Sequence, residues 1–381
     1  MTDSTAPAAV AFSIERPDKA ALEALWTGLE QQADISFYLS WAWIGAWIEE
    51  AGMPDWVLVG RAGGEPVCLG LLRRAIRRRH GFVRSRTLLL HETGNEEEDV
   101  IFIEYNGFLT RRGFARLELQ AIAFLRERRE QIGGFDEIRL GGIAEPAYRA
   151  LEAAGLRMYV HAQKTSGFVD LAAVRNGGGD YLATLSANTR QQVRRAIRIY
   201  DARGPLTLQP AGTPAEALDF FEQLGVLHER AWSARGSGGA WRFPFLVAFH
   251  KRLIETCFEA GGVEIVRVSC GEEAIGYIHC LVRDGWVGSY LSGFAYEADN
   301  KVKPGLVSFT LYIEHLLNRD AQVFDFLAGD HRYKTSLGKP GPDLYWVDVQ
   351  ERRPQLLLED ALRRMKQRFE RLRRPRSGGR G

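Results

Sequence analysis

Val323-Phe324-Asp325-Phe326-Leu327-Ala328-Gly329-Asp330-His331-Arg332-Tyr333-Lys334 runs from an apolar stretch straight into a cluster of ionisable side chains. The first half of it reads as a buried strand, and Gly329-Asp330 as its stop. A strand ending this way sets polar groups at its C-terminal edge, which is where open α/β sheets bind ligands. Placed there, Tyr333 can protonate a leaving thiolate, and Lys334 can hold a phosphate or a developing oxyanion. The plainer reading of the same residues is a salt-bridged loop that caps a short helix.

Working outward, a helix over Gly305 to Asn318 precedes this strand, and the strand Trp286 to Phe294 precedes the helix. Lys301, Lys303 and Pro304 lead into Gly305 and Leu306. A helix start offers free N–H groups and the positive end of the dipole, which suits a pyrophosphate. Lys301, Lys303, Gly305 and Leu306 are therefore candidate cofactor-binding positions. Ser292-Gly293, read as a bulge that frees backbone donors for a thioester carbonyl, joins them. Two more strands, Val263 to Ser269 and Ala274 to Val282, complete an antiparallel set. His279 lies within the second, either as a core histidine or as a general base on a cleft-facing side.

The first half reads in the same order. Helical periodicity covers Pro17 to Glu50, then come strands Trp56 to Val59, Pro66 to Leu72, Thr87 to Leu90 and Val100 to Tyr105. A helix Ala115 to Arg129, a strand Glu137 to Leu140 and a helix Pro146 to Ala154 follow. Asn176-Gly177-Gly178-Gly179 is the candidate linker. After it, a helix from Asn188 to Ala202 has Asn188 as its N-cap. The expectation is an α/β fold of the α+β type: two similar domains, 1–175 and 176–352, each a mixed, mostly antiparallel sheet flanked by helices. Residues 353–381 form a C-terminal helix and a basic tail.

Composition narrows the function classes. With 381 residues, the chain exceeds what one core usually organises. A net charge of +2 excludes a general polycation, so positive charge is local: Arg73 to Arg86, Arg190 to Arg203 and Arg363 to Arg380. Such runs are solvated faces or grips on anionic partners. Cys68, Cys257, Cys270 and Cys280 show no Cys-x-x-Cys spacing, which argues for a reducing compartment and against a structural zinc site. No metal site is expected. No apolar run approaches the roughly 20 residues of a membrane span, and Met1 to Ser13 lacks a signal peptide's pattern. The expected location is the cytoplasm. No Gly-x-Ser-x-Gly, Walker loop or His-Glu-x-x-His occurs.

Leu185-Ser186-Ala187-Asn188-Thr189-Arg190 with Arg194-Arg195-Ala196-Ile197-Arg198, and Phe324 to Lys334, resemble signatures of GNAT-type acetyltransferases of the CelD/BcsL-like (BioF-like) group. Trp41-Ala42-Trp43 to Trp47 is similar to their N-terminal half. The resemblance implies tandem GNAT-like domains akin to the Fem peptidyltransferases, with the first domain shaping the acceptor cleft and not reacting. It implies acetyl-CoA or another acyl-CoA as co-substrate, or a charged tRNA as donor. The acceptor would be a small molecule or a cell-envelope precursor, in exopolysaccharide biosynthesis. Tyr333-Lys334 resembles the aromatic-Lys pair of Fem-like enzymes. Lys301 to Val307 departs from the wider GNAT donor loop, Gln/Arg-x-x-Gly-x-Gly/Ala, by having one glycine and a proline.

Overall fold

The computed structural model describes residues 9–79, 83–114, 116–329 and 332–373. Asp330, His331 and the side chain of Arg332 lie outside the described residues, as does the tail beyond Arg373. The first half comprises β1 (Val10–Glu15), α1 (Lys19–Glu30), α2 (Trp41–Ala51), β2 (Trp56–Ala62), β3 (Glu65–Arg79), β4 (Val83–Leu90) and β5 (Leu109–Thr110). It continues with α3 (Leu117–Glu127), β6 (Glu137–Ala144), α4 (Glu145–Ala153) and β7 (Met158–Asp170). Then come α5 (Leu171–Asn176), α6 (Tyr181–Thr184), α7 (Ala187–Asp201), β8 (Leu206–Pro210), α8 (Pro214–Ser233), α9 (Pro244–Cys257), β9 (Val263–Cys270), β10 (Glu273–Arg283) and β11 (Trp286–Phe294). The chain ends with α10 (Pro304–Leu317), β12 (Val323–Ala328), α11 (Arg332–Leu337), β13 (Lys339–Gln350) and α12 (Pro354–Arg373).

Side chains set several helix starts by accepting an orphan N–H. Asp18 accepts from Ala21 N–H, Ser40 from Trp43 N–H, and Thr213 from Glu216 N–H. Each such cap contributes about 1 kcal/mol. The cap of α7 is Ser186, which accepts from Thr189 N–H, so the helix begins ahead of the expected Asn188.

The two halves repeat one plan. In the first, β2, β3 and β4 form an antiparallel meander, α3 crosses over, and β6 pairs parallel to β4. In the second, β9, β10 and β11 do the same, α10 crosses over, and β12 pairs parallel to β11. The last strand of each half then goes to the other half. β7 pairs with β12, β13 pairs with β6, and β7 and β13 pair with each other. The described strands consequently join into one mixed sheet, in the order β1-β2-β3-β4-β6-β13-β7-β12-β11-β10-β9-β8, with β5 beside β3.

Helices from the two halves share a core on one side of the sheet. Trp43 of α2 meets Phe249 of α9 edge to face at 4.7 Å, and Leu22, Trp26, Trp47, Phe221 and Leu253 are buried around them. At about 25 cal/mol per Å² of apolar burial, aromatic side chains of this size dominate such an interface. Arg252–Glu50 at 3.1 Å and Arg283–Glu30 at 2.7 Å cross the same boundary.

Two expectations change here. Val100 to Tyr105 is not a strand: it makes a single 3-10 turn over Asp99–Ile101 and then irregular chain, with positive φ at Phe102 and Tyr105. Its polar side chains reach across to the second half and not to a neighbouring strand. Much of the Arg73 to Arg86 cluster is spent internally, while Arg78 and Arg84 are exposed. Arg73 donates to Ala51 O (2.6 Å), Arg74 to Gly133 O (2.7 Å), Arg79 to Glu137 and Asp348, and Arg86 to Asp136.

Candidate active site

The parallel pairing of β11 and β12 lasts only from Trp286↔Val323 to Gly288↔Asp325. Beyond it the strands part, and a cleft of about 390 Å³ opens between them. Three local features keep them apart. β11 carries a bulge at Tyr290, because His279 faces Leu291 while Cys280 faces Ser289. This displaces the expected bulge from Ser292-Gly293, which are in register with Ile278 and Tyr277. Leu327 at the end of β12 sits in the left-handed region, φ +61°, turning that strand away. Finally, α8 lies directly against β11 at Gly293, where an added Cβ would stand 2.3 Å from the Leu224 carbonyl oxygen. Gly293→Ala is therefore expected to push α8 outward and destabilise the protein by about 1–3 kcal/mol, read as a lower Tm. An unchanged Tm would refute that packing account.

Ser292, Gly293, Tyr333 and Lys334 line this cleft together. Tyr333 stacks on Phe309 at 5.2 Å and meets Phe326 edge-on at 5.9 Å. Burial pushes its hydroxyl well above the ordinary range, so it stays protonated across the physiological range. Lys334 is buried, and its ammonium donates to the carbonyls of Leu327 (3.0 Å) and Ala328 (2.8 Å). Lys334 therefore ties down the end of β12.

The loop carrying Lys301, Lys303, Gly305 and Leu306 borders the cleft through one ring. A Cβ on Gly305 would lie 3.2 Å from the ring of Phe294, which itself lines the cleft. Lys301 is exposed, with its N–H on Asp299 Oδ1 at 2.9 Å, and no side chain caps α10 at Lys303. The first turn of α10 thus has no side-chain acceptor from its cap, and Lys301, Lys303, Gly305 and Leu306 stand behind Phe294 and do not line the cleft themselves.

His279 is not brought to the cleft. It is fully buried, shares a 3.1 Å hydrogen bond with His250, and packs against Phe221 and Tyr290. Desolvation lowers its pKa to about 3, so it is neutral and removed from solvent. Its side of β10 is core because α8 and α9 cover it.

A carboxyl that does reach the cleft is Glu104, from the segment expected to be a strand, and the imidazole of His228 also lines it. Its Oε2 accepts from Ala328 N–H at 2.9 Å, and only 8% of the residue is exposed. Desolvation is the largest influence and, with the neighbouring Asp325 charge, pushes the carboxyl up to about 7 against Ala328 N–H, Lys334 and Lys164. Next to it, Tyr105 donates to Asp325 Oδ2 at 2.5 Å, and Asp325 also accepts from Trp286 Nε1 (3.3 Å) and Leu327 N–H (2.7 Å). Asp325 thus holds Leu327 in its turned conformation. Lys164 of β7 lies over the rings of Phe102 and Trp346 at the mouth. The first half, expected only to shape the acceptor side, supplies Glu104 to the cleft, and its Tyr105 braces Asp325. One sign of this was legible: a carboxylate interrupting the apolar run Ile101-Phe102-Ile103.

Residues 187–335 match the family described as acetyltransferase (GNAT) domain. This stretch is similar to a GNAT-type acetyltransferase domain. It contains β11, the Lys301-to-Leu306 loop, α10, β12, Tyr333 and Lys334. Solved structures extend the likeness to the whole chain. FemX is similar at 10% identity and TM-score 0.54, over 91% of this chain and 99% of its own. L-PGS from Bacillus licheniformis is similar at 13% identity and TM-score 0.50, over 92% and 97%. The C-terminal domain (DUF2156) of a putative lysylphosphatidylglycerol synthetase from Agrobacterium fabrum is similar at 13% and 0.50, over 90% and 96%. At these identities the likeness is one of fold, and it covers both halves, outside as well as inside the GNAT domain. No curated protein matches the chain.

Proposed function

We propose that the protein is an acyltransferase that moves an acyl group, acetyl in the simplest case, from acyl-CoA to an amine or hydroxyl acceptor. Glu104 carries this reading: a buried carboxyl at the cleft, held near neutrality, is matched to proton abstraction at physiological pH. The acceptor N–H or O–H loses its proton to Glu104 as its heteroatom bonds to the thioester carbonyl carbon. The C–S bond then breaks, and the leaving thiolate takes a proton from Tyr333. Proximity supplies much of the remaining acceleration. The Lys301-to-Leu306 loop and the first turn of α10 would hold the CoA pyrophosphate. A sugar or cell-envelope precursor as acceptor follows from the CelD/BcsL-like signatures.

A second reading, aminoacyl transfer from charged tRNA in the Fem-like manner, is favoured by one observation: Arg194, Arg195 and Arg198 are all exposed on α7. One titration separates the two. Acetyl-CoA, longer acyl-CoAs and CoA are each expected to give a saturable heat on binding. Silence across that panel, with salt-sensitive binding of tRNA in its place, would transfer the site to the second reading.

A further inference from the structure

Helix α12 docks one side on the fold and leaves apolar side chains exposed on another. Leu356 is fully buried, while Glu359 pairs with Arg79 at 3.0 Å and Asp360 with Arg157 at 3.1 Å on that same side. On the other side, Leu357 (45%), Leu358 (59%), Leu362 (46%) and Met365 (53%) are exposed. Single exposed leucines are ordinary, but here Leu358, Leu362 and Met365 recur along one side of a helix, with Leu357 beside them. The spacing of Leu358, Leu362 and Met365 is that of one helical face, and the sequence repeats it at Phe369 and Leu372. Charge accompanies the stripe. Residues 361–381 hold nine lysines and arginines and one acidic residue, Glu370, in a chain whose net charge is +2.

We propose that α12 lays this face on an anionic lipid surface, its apolar side chains entering the headgroup boundary and its basic residues meeting the lipid charge. An amphipathic helix rich in Arg binds at such an interface through apolar burial and electrostatic attraction together. Two other occupants fit less well. A second copy of α12 would bring the basic run of residues 361–381 up against its like. A nucleic acid would satisfy the charge and leave the four apolar side chains in water. The acyltransferase reading is independent of this surface.

Flotation of the full chain with vesicles tests it. The protein is expected to float with vesicles of equal parts phosphatidylcholine and phosphatidylglycerol, and not with phosphatidylcholine alone. Added salt should weaken the binding. The double substitution Leu358→Glu, Leu362→Glu should lower the bound fraction at least about tenfold, with an unchanged Tm because both positions are exposed. Equal binding to neutral vesicles, no flotation at all, or flotation untouched by the substitution would each overturn the proposal. So would a dimer in sedimentation that the same substitution dissolves, or equal retention of both forms on an oligonucleotide without flotation.

Discussion

Glu104→Gln is expected to lower kcat by roughly 10²- to 10⁴-fold, the range that a positioned proton acceptor contributes. The amide keeps the size of the carboxyl and can still accept from Ala328 N–H, so the loss reflects basicity and not shape. The pH profile makes this specific. A base works when deprotonated, so kcat/KM of the parent enzyme should rise as pH passes through about 7, where Glu104 ionises. In the variant that limb should vanish. Stability should move the other way. Glu104's folded pKa is raised, so the fold binds its proton more tightly than the unfolded chain does. The stability it contributes is present at low pH and lost as pH rises toward and past about 7. At pH 8 the glutamine variant should therefore melt no lower than the parent. A rate profile that keeps its limb in the variant would remove Glu104 from the mechanism.

The contrast between Glu104 and His279 shows where sequence is legible and where it stops. His279 has the residue type expected of a base, but its strand face is decided by α8 and α9, which pack over it from elsewhere in the chain. Glu104 lies in an apolar run with strand-like composition, and only the crossing of the halves brings it to Ala328, 224 positions away. The meanders, the crossover helices α3 and α10, and the Phe324-to-Lys334 cluster were readable because local periodicity carries them. β7 was not, because Met158–Asp170 alternates poorly: it is only partly buried and is sheltered between β13 and β12, both far away in sequence. β1 and β8, short strands at the two sheet edges, were missed for a related reason, since an edge strand needs no strong apolar pattern. The exchange of β7 and β13 leaves no local signal at all. It is a property of pairing, and pairing partners are not adjacent.

That exchange makes Asp348 the residue whose loss should cost most. β13 lies between β6 and β7, and Asp348 on it is fully buried. Its carboxylate accepts from Arg79 of β3 at 3.1 Å, Arg139 of β6 at 3.4 Å, Arg77 at 3.4 Å, and His161 of β7. Arg79 in turn reaches Glu137 of β6 at 2.9 Å and Glu359 of α12 at 3.0 Å. Burial pushes Asp348 up, but the His161 hydrogen bond and the His161, Arg139 and Arg77 charges outweigh it and hold the group below its ordinary value. Asp348→Ala leaves the Arg77, Arg79 and Arg139 guanidiniums partly buried without their shared partner, which should destabilise the protein by about 3–5 kcal/mol. Arg77→Ala should cost less than about 1 kcal/mol, because Arg77 is 28% exposed and can turn to water. The pH dependence follows from the depressed value: the stability is fully present above the unfolded carboxyl's pKa and is lost as pH falls through the folded one. The gap between parent and Asp348→Ala in denaturant titrations should therefore persist undiminished from pH 7 down to about 5 and close only in stronger acid. Were Asp348→Ala to unfold at the parent's midpoint, the seam between the halves would have to be held by backbone pairing and the shared aromatic core alone.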